Sequence, residues 1–174
     1  MTAIIETGQL NIRPFVIDDA AMMLSLLNDP GWLRFIGDRS VRTMEQARTY
    51  LENGALENYR RLGFGSYCVE LKSDQTPIRM CGLTQRDYLD APDLGFALFA
   101  DYAGHGYAKE AAAAVLHYAK QTLRLKRVLA TTRLDNAASI KVLVAIGMQL
   151  EQVILHPDGD RELNLFAIDL TREL

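Results

Sequence analysis

Residues 93–123 read DLGFALFADYAGHGYAKEAAAAVLHYAKQTL, and this stretch decides the fold class. Its first part, Asp93–Phe99, is almost continuously apolar, which is typical of a strand that is covered on both faces. Gly104 and Gly106 then interrupt the pattern. From Tyr107 onward, apolar side chains recur at helical spacing. The stretch therefore predicts a strand, a glycine turn and a long helix, which together begin a strand–helix–strand crossover.

The chain on either side of this stretch predicts further strands and helices separated by short turns. Upstream we predict a first strand at Leu10–Phe15, a helix after Asp18 or Asp19, and a second helix from Thr43 that fades by Leu62–Gly63. Two further strands follow, at Gly65–Lys72 and at Ile78–Asp87. Downstream we predict a strand, a helix and a closing hairpin: Lys126–Thr132, a helix from Asn136 that Gly147 ends, Met148–Leu155, and Glu162–Leu170.

The order of these elements determines the fold class that we expect. Antiparallel strands come first and the crossover comes later, which predicts a mixed sheet. We therefore expect an α/β (α+β) fold with a mostly antiparallel central sheet of about six or seven strands and helices on both faces.

Composition limits the kind of protein. The 174 residues, 49% hydrophobic and 24% charged, fit one domain that spans residues 1–174. The net charge of −3 argues against nucleic-acid binding, because binding to phosphates requires a basic surface. With three histidines and two cysteines, a structural zinc site is not expected.

Nothing in the sequence indicates export or a membrane. The N-terminus has no basic stretch followed by an apolar run, and no apolar run reaches the ~18 residues of a membrane span. We therefore expect a cytoplasmic protein. Its cysteines, Cys68 and Cys81, are expected to be reduced and buried rather than bridged across the turn at residues 73–77.

The glycine turn has the features of an anion site. Gly104 and Gly106 permit positive φ angles and a close approach of a ligand to the backbone. The first N–H groups of the following helix have no intrahelical partners, and the positive end of the helix dipole lies there. Lys109 in the first turn opposes that dipole unless an anion is nearby. The turn therefore predicts a phosphate or diphosphate site.

Other interpretations of the turn are weaker or remain open. A P-loop requires G-x-x-x-x-G-K-[ST], which does not occur in this sequence. The dinucleotide fingerprint G-x-G-x-x-G requires a glycine where Lys109 stands, and no acidic residue ends the next predicted strand. The glycines can also serve a tight strand-to-helix turn that binds nothing.

Three segments resemble the GNAT acyltransferases. Residues 98–108, LFADYAGHGYA, resemble their acetyl-CoA signature, R/Q-x-x-G-x-G/A after a bulged strand. Residues 136–148, NAASIKVLVAIGM, resemble their N-x-x-S…G-F segment. Residues 10–14, LNIRP, with Asp19, resemble the start of the Rim-type branch of ribosomal-protein N-terminal acetyltransferases. Together the three segments cover nearly the whole chain in the order of that family, which implies a GNAT-like fold.

The resemblance also implies how acetyl-CoA is held. The backbone cradle for the CoA diphosphate would be Gly104, His105, Gly106, Tyr107 and Ala108. Backbone groups of Leu98 and Phe99 would form hydrogen bonds with the pantetheine arm, and a backbone N–H around Phe96–Leu98 would polarise the thioester carbonyl. Asn136 would form a hydrogen bond with the arm or cap its helix. Ser139 would protonate the leaving thiolate, and Lys141 would contact the adenosine phosphates.

The sequence departs from the family pattern at three places. Ala103 stands where the family has Arg or Gln, so one side-chain contact to phosphate is missing, and either the affinity is lower or His105 and Lys109 substitute. Met148 stands where Phe is common, and the region around Ser139 has no tyrosine to act as the acid that many relatives use.

The catalytic base and the acceptor pocket are less well marked. A carboxylate can remove the proton of the amine directly or through water, and the candidate is Asp93, with Asp87 and Tyr88 as weaker ones. The alternative, that Asp93 is an ordinary turn residue without a catalytic role, has equal weight. Trp32, Phe35 and Ile36 could wall an acceptor pocket between the first two helices and the central strands, or they could belong to the core.

The leading functional hypothesis is an acetyl-CoA-dependent N-acetyltransferase that acts on a primary amine by direct attack on the thioester. The acceptor would be a small-molecule amine or a protein N-terminus, with no metal, nucleic acid or membrane involved. The alternatives are an acyl-CoA-binding or sensing module with weak catalysis, and a nucleotide-binding regulatory domain. A homodimer is expected only by analogy with the family.

Overall fold

One eight-stranded sheet runs through the molecule in a computed structural model that describes residues 2–173. Its strands are β1 (Ile5–Glu6), β2 (Leu10–Pro14), β3 (Ser66–Leu71), β4 (Pro77–Thr84), β5 (Asp93–Leu98), β6 (Arg127–Arg133), β7 (Gln149–Leu155) and β8 (Glu162–Asp169). They lie in the order β1-β2-β3-β4-β5-β6-β8-β7, and each neighbouring pair is antiparallel except β5 with β6. The predicted mixed sheet is confirmed, with one strand more than expected.

Helices cover both faces of this sheet, as predicted. They are α1 (Ala20–Leu27), α2 (Pro30–Phe35), α3 (Met44–Leu51), α4 (Glu57–Leu62), α5 (Tyr107–Gln121) and α6 (Ala137–Ala145). On one face α5 buries Ala111, Val115 and Leu116 against the central strands. On the other face α1 and α3 pack Met23 and Leu51 into a second apolar cluster. None of the helices within residues 2–173 is both long enough and apolar enough to cross a membrane.

The sheet opens between its two central strands. β5 and β6 are parallel and register at Asp93 opposite Leu129, where Leu129 N–H donates to the carbonyl of Pro92 at 2.9 Å. No further register pair joins these two strands in the described chain. Beyond this point the strands diverge, so the backbone of β5 toward Leu98 faces a gap instead of a neighbouring strand.

The structure differs from the sequence prediction at the end of one strand and in two short elements that were not predicted. The predicted strand Ile78–Asp87 ends at Thr84, and residues 85–92 instead form a loop that packs Leu89 and Ala91 against β6 and β8. The two-residue strand β1 is too short to show a periodic pattern. Helix α2 is not among the predicted helices; it begins at Pro30 because Asp29 caps it and Pro30 occupies its first turn.

The cysteines lie on opposite faces of the sheet. Cys68 of β3 pairs with Met80 of β4, and Cys81 pairs with Tyr67. Since neighbouring residues of a strand point to opposite faces, Cys68 joins the α1–α3 cluster and Cys81 joins the α5 cluster. Both thiols are free and buried, and burial raises the pKa of Cys81 to about 11. This register excludes the bridge that the sequence left open.

Candidate active site

The glycine turn before α5 presents free backbone donors to solvent. Gly104 and Gly106 have φ angles of +80° and +79°, and Gly106 is the N-cap of α5 without a side-chain cap. Among residues 2–173, no group accepts a hydrogen bond from the N–H groups of residues 104–109. The turn is exposed, and a Cβ built on either glycine meets nothing within 4 Å. The geometry therefore fits the anion site that the sequence predicts.

The acidic residue in the first turn of α5 does not fill this site. The Glu110 carboxylate accepts hydrogen bonds from Thr7 Oγ1 at 2.5 Å, from Gln9 N–H at 2.8 Å and from Gln9 Nε2 at 2.7 Å. Partial burial opposes its ionisation, but these hydrogen bonds outweigh it and hold the pKa of Glu110 below its ordinary value. The carboxylate thus anchors the turn between β1 and β2 instead of neutralising the end of the helix.

The side chains around the turn are arranged in different ways. The Nδ1 atom of His105 lies 2.9 Å from the carbonyl oxygen of Ala103, and its ring stacks on Tyr107 at 5.5 Å between centroids. Lys109 is exposed in the first helical turn. Lys141 is exposed on α6. The Ala103 methyl supplies no charge, so the turn is mainly a backbone site.

The backbone of β5 directs amides into the gap at alternate residues. Phe99 donates its N–H to the carbonyl of Ile78 on β4 at 3.2 Å. Because successive amides of a strand point in opposite directions, Phe96 and Leu98 direct their N–H and C=O groups away from β4, into the gap. The N–H of Phe99, which the sequence placed on the pantetheine arm, is therefore already engaged.

The bulge that the resemblance implies for this strand does not occur. β4 and β5 pair without a register shift from Arg79 opposite Leu98 to Thr84 opposite Asp93. The gap therefore arises from the divergence of β5 and β6 alone.

Helix α6 closes the other side of the gap. Asn136 caps it, because its side-chain oxygen accepts the N–H of Ser139 at 3.2 Å. Of the two roles that the sequence left open for Asn136, the structure shows the cap. Ser139 is half-buried in the first turn and lines the cleft described next.

One continuous cleft of about 540 Å³ passes through the gap from one face of the sheet to the other. On the side of the glycine turn it is lined by Ala103, Ala108, Asn136, Ser139 and Val142. On the side of α1–α3 it is lined by Trp32, Phe35, Ile36, Tyr50, Tyr88 and His156. The cleft thus joins the free amides to a pocket with an apolar wall of Trp32, Phe35 and Ile36, which Arg39, Arg86 and Arg161 also line.

Asp93 lies in the floor of the cleft with both carboxylate oxygens engaged. It is 2% exposed, accepts a hydrogen bond from Thr84 Oγ1 at 2.7 Å, and pairs with Arg86 Nε at 3.0 Å. Arg86 is half-buried and lines the same cleft, and no sequence signal singled it out. Of the weaker candidates, Tyr88 lines the cleft, whereas Asp87 is exposed and does not.

His156 was also missed by the sequence analysis. It is half-buried at the turn between β7 and β8, and its ring meets the ring of Tyr88 at 5.8 Å. His156 lies in the same turn as Asp158 and Asp160. A ring nitrogen of His156 and a carboxylate oxygen of each aspartate lie within 4.8 Å of one another. Three groups, two of them exposed carboxylates, do not make the four-ligand shell of a structural zinc site.

Comparison with known proteins agrees with this geometry. Residues 9–149 match the model of the acetyltransferase (GNAT) domain family. The chain belongs to the GNAT acetyltransferase family. This assignment confirms the predicted acyltransferase, and the match covers most of the chain, including the glycine turn and α6.

Individual relatives of this GNAT protein are distant in sequence and close in fold. The uncharacterised N-acetyltransferase YnaD of Bacillus subtilis strain 168 is 26% identical over 147 residues, covering 84% of this chain and 83% of the relative. A GNAT-family acetyltransferase from Bacillus anthracis is 24% identical, has a TM-score of 0.80 and covers 97% of this chain and 99% of that one. RimL, a ribosomal L7/L12 α-N-protein acetyltransferase in complex with coenzyme A, is 19% identical, has a TM-score of 0.80 and covers 94% of this chain and 95% of that one.

Proposed function

We propose that the protein transfers an acetyl group from acetyl-CoA to a primary amine. The observation that carries the proposal is the continuous cleft, since it connects a backbone anion site on one face of the sheet to a pocket with an aromatic wall on the other. A donor held at the turn and an acceptor held beside Trp32 can then meet between β5 and β6. The structure of RimL with coenzyme A, which shares the fold, supports the choice of donor.

The donor side fits CoA through backbone groups. The free N–H groups of residues 104–108 would hold the diphosphate, with the dipole of α5 behind them. The N–H and C=O groups of Phe96 and Leu98 would pair with the amides of the pantetheine arm as a neighbouring strand does. Asn136 would contribute by fixing the start of α6, and Lys141 would remain an exposed contact for the adenosine phosphates.

The middle of the cleft would carry the chemistry. The donor supplies a thioester whose carbonyl carbon is attacked by the neutral amine, with release of CoA. The N–H of Phe96 would stabilise the negative charge that develops on the carbonyl oxygen. The Ser139 hydroxyl lines the same space and would give its proton to the leaving sulfur, regaining one from solvent before the next turnover. Asp93 would receive the proton that the amine loses, directly or through water.

The aromatic and aliphatic wall of the acceptor side, Trp32, Phe35 and Ile36, favours an amine that carries an apolar or aromatic group. RimL is named as an α-N-protein acetyltransferase. A further structure that shares the fold, with a TM-score of 0.78 and 13% identity, is a chimera of a spermidine N-acetyltransferase from Vibrio cholerae. An α-amine is partly neutral near pH 8, since its pKa is about 7.7–8.0, whereas a lysine amine with a pKa of about 10.4 is mostly charged. We therefore place α-amines of peptides and small molecules first among acceptors.

The experiment that tests the proposal follows CoA release from acetyl-CoA against N-terminal peptides, amino acids and polyamines. Calorimetry with acetyl-CoA, CoA, ATP and NAD accompanies it. Release of CoA with an amine supports the transferase. CoA binding without turnover across the whole panel identifies a sensing module instead, and preferential binding of ATP or NAD identifies a nucleotide-binding domain.

Asp93→Asn is expected to lower kcat by about a hundredfold or more, because Asn cannot take up the proton of the amine. The KM for acetyl-CoA is expected to change little, since Asp93 lies on β5 away from the glycine turn. The measurement is the pH dependence of kcat for the best acceptor of the screen, compared between the wild type and the variant.

Arg86→Gln serves as the control for Asp93→Asn, because it keeps the carboxylate and removes its cationic partner. If Asp93 takes up the proton, Arg86→Gln keeps a pH-dependent kcat well above that of Asp93→Asn. An equal loss in both variants, with unchanged pH profiles, would show that the carboxylate only anchors Arg86.

The edge strand β7 supports the homodimer that the family analogy predicts. It lies at one end of the sheet and exposes Leu150, Val153 and Leu155. Exposed apolar side chains on an unpaired edge favour association with another chain. Sedimentation of the purified protein over a range of concentrations tests this.

A further inference from the structure

Arg79 is a buried cation without a hydrogen-bond or ion-pair partner in the described part of the chain. It is 0% exposed, and it is the largest fully buried side chain in the described part of the protein. Its Nε, Nη1 and Nη2 atoms donate to no acceptor within residues 2–173. Buried arginines are almost always paired, because an uncompensated charge in the protein interior destabilises the fold. An arginine in this state therefore needs an explanation other than stability.

The position of Arg79 points to the donor side of the cleft. On β4 it lies opposite Leu98, the last residue of β5 before the chain enters the turn at residues 103–106. It shares a sheet face with Cys81 and Phe96, which is the face that α5 covers. Its Cζ atom lies 5.6 Å from the centre of the Phe96 ring, and Phe96 lines the cleft. The guanidinium thus lies one side chain behind the cleft wall, beneath the helix whose N-terminus holds the free amides.

The charge of this group is permanent and poorly screened. Burial lowers the pKa of Arg79 from its ordinary value, with a smaller opposing effect from Cys81. A guanidinium still remains protonated in a protein at neutral pH. A charge surrounded by protein acts over a longer distance than a charge in water, since the local dielectric constant is low and salt does not reach it.

The glycine turn itself has no fixed cation. Ala103 is uncharged, the His105 ring is turned onto the Ala103 carbonyl and Tyr107, and Lys109 extends from an exposed helical turn. An anionic ligand at this turn would therefore meet backbone dipoles and exposed side chains, with Arg79 as the buried positive charge behind them.

We propose that Arg79 is a positioning residue that raises the affinity of the glycine turn for the diphosphate of CoA, acting through space from behind Phe96 and the first turn of α5. The inference rests on the proposed donor function. It explains why a cation is kept where the protein offers it no counter-charge, since the bound ligand brings the negative charge. It also predicts that donor affinity falls without a loss of stability when the charge is removed.

Arg79→Met tests the proposal in the full-length protein. Methionine fills the space without charge, so the melting temperature is expected to stay the same or rise. Calorimetry is expected to show about tenfold weaker CoA binding, equivalent to about 1.4 kcal/mol. Turnover of S-acetylpantetheine, a donor without phosphates, is expected to keep its kcat/KM. Ala103→Arg added to Arg79→Met is expected to restore CoA affinity, because it returns a cation to the turn.

Arg79→Lys provides a second test that does not depend on the methionine variant being folded. A buried lysine loses its proton more readily than an arginine. CoA affinity relative to the wild type is therefore expected to be near normal at pH 6 and to fall about tenfold toward pH 9. A purely structural role of Arg79 would give no such pH-dependent ratio.

The outcomes separate this proposal from the proposed function. If the wild type binds CoA and Arg79→Met binds it equally well, the role of Arg79 is refuted and the transferase stands. Equal losses for CoA and S-acetylpantetheine would also refute it, since they would show that Arg79 shapes the cleft. If the wild type does not bind CoA, the proposed function fails.

Discussion

Gly106→Glu is expected to weaken CoA binding by at least about a hundredfold while the protein stays folded. The substitution places a carboxylate among the free N–H groups at the start of α5, where it competes with the diphosphate and repels it. The fold tolerates the side chain, because nothing lies within 4 Å of a Cβ at this exposed position. The cost to stability is the strain of an L-residue at a φ of +79°, about 1–2 kcal/mol.

Gly106→Gln is the matched control, since it has the shape and backbone strain of the glutamate without its charge. We expect calorimetry to show about a tenfold loss of CoA affinity for Gln, so that the remaining loss in Glu measures the charge. Thermal unfolding of the two variants is expected to agree closely. Equal CoA affinities for Glu and Gln would mean that the diphosphate binds elsewhere.

The part of the site that local sequence determines was predictable. Gly104, Gly106 and the alanine-rich start of α5 are consecutive, so a single segment fixes the turn, its positive φ angles and its free amides. The cap of α6 was predictable for the same reason, because Asn136 and Ser139 are three residues apart on one turn.

The rest of the site depends on residues that are distant along the chain. Arg79 lies behind the cleft wall only because of the register that sets β4 beside β5, and His156 reaches the cleft beside Tyr88 of the loop 85–92, which packs across β6 and β8. Neither position differs in sequence from an ordinary strand or turn residue. Register and loop packing are tertiary properties, so no periodicity reveals them.

Helix α2 and the β5 backbone show two different limits of prediction from local sequence. The Asp29–Pro30 pair is a helix-start signal as well as a turn signal, and the surrounding apolar cluster decides between them. For β5 the family resemblance implied a bulge, but the unbroken pairing with β4 lets strand divergence alone open the gap. Local patterns allow both alternatives in each case, and packing selects one.

Arg13→Met is expected to lower the free energy of unfolding by about 3–5 kcal/mol, because it leaves the buried carboxylate of Asp19 and the partly buried carboxylate of Glu70 without their cation. Arg13 on β2 is 8% exposed and holds Asp19 with two hydrogen bonds of 2.8 Å each. Its Nε atom donates to Glu70 on β3 at 2.7 Å. The hydrogen bonds with Asp19 raise the pKa of Arg13 above its ordinary value. Asp19 also accepts the N–H of Val16, so the pair fixes the chain where it turns into α1.

Urea unfolding of Arg13→Met and of Arg42→Met compares a buried pair with an exposed one. Arg42 binds Asp38 at 2.6 Å, but both side chains are about half exposed, so the loss of this pair is expected to lower the free energy of unfolding far less than the loss of the Arg13 pair. A deficit of Arg13→Met as small as that of Arg42→Met would show that the buried pair contributes no more to stability than the exposed one.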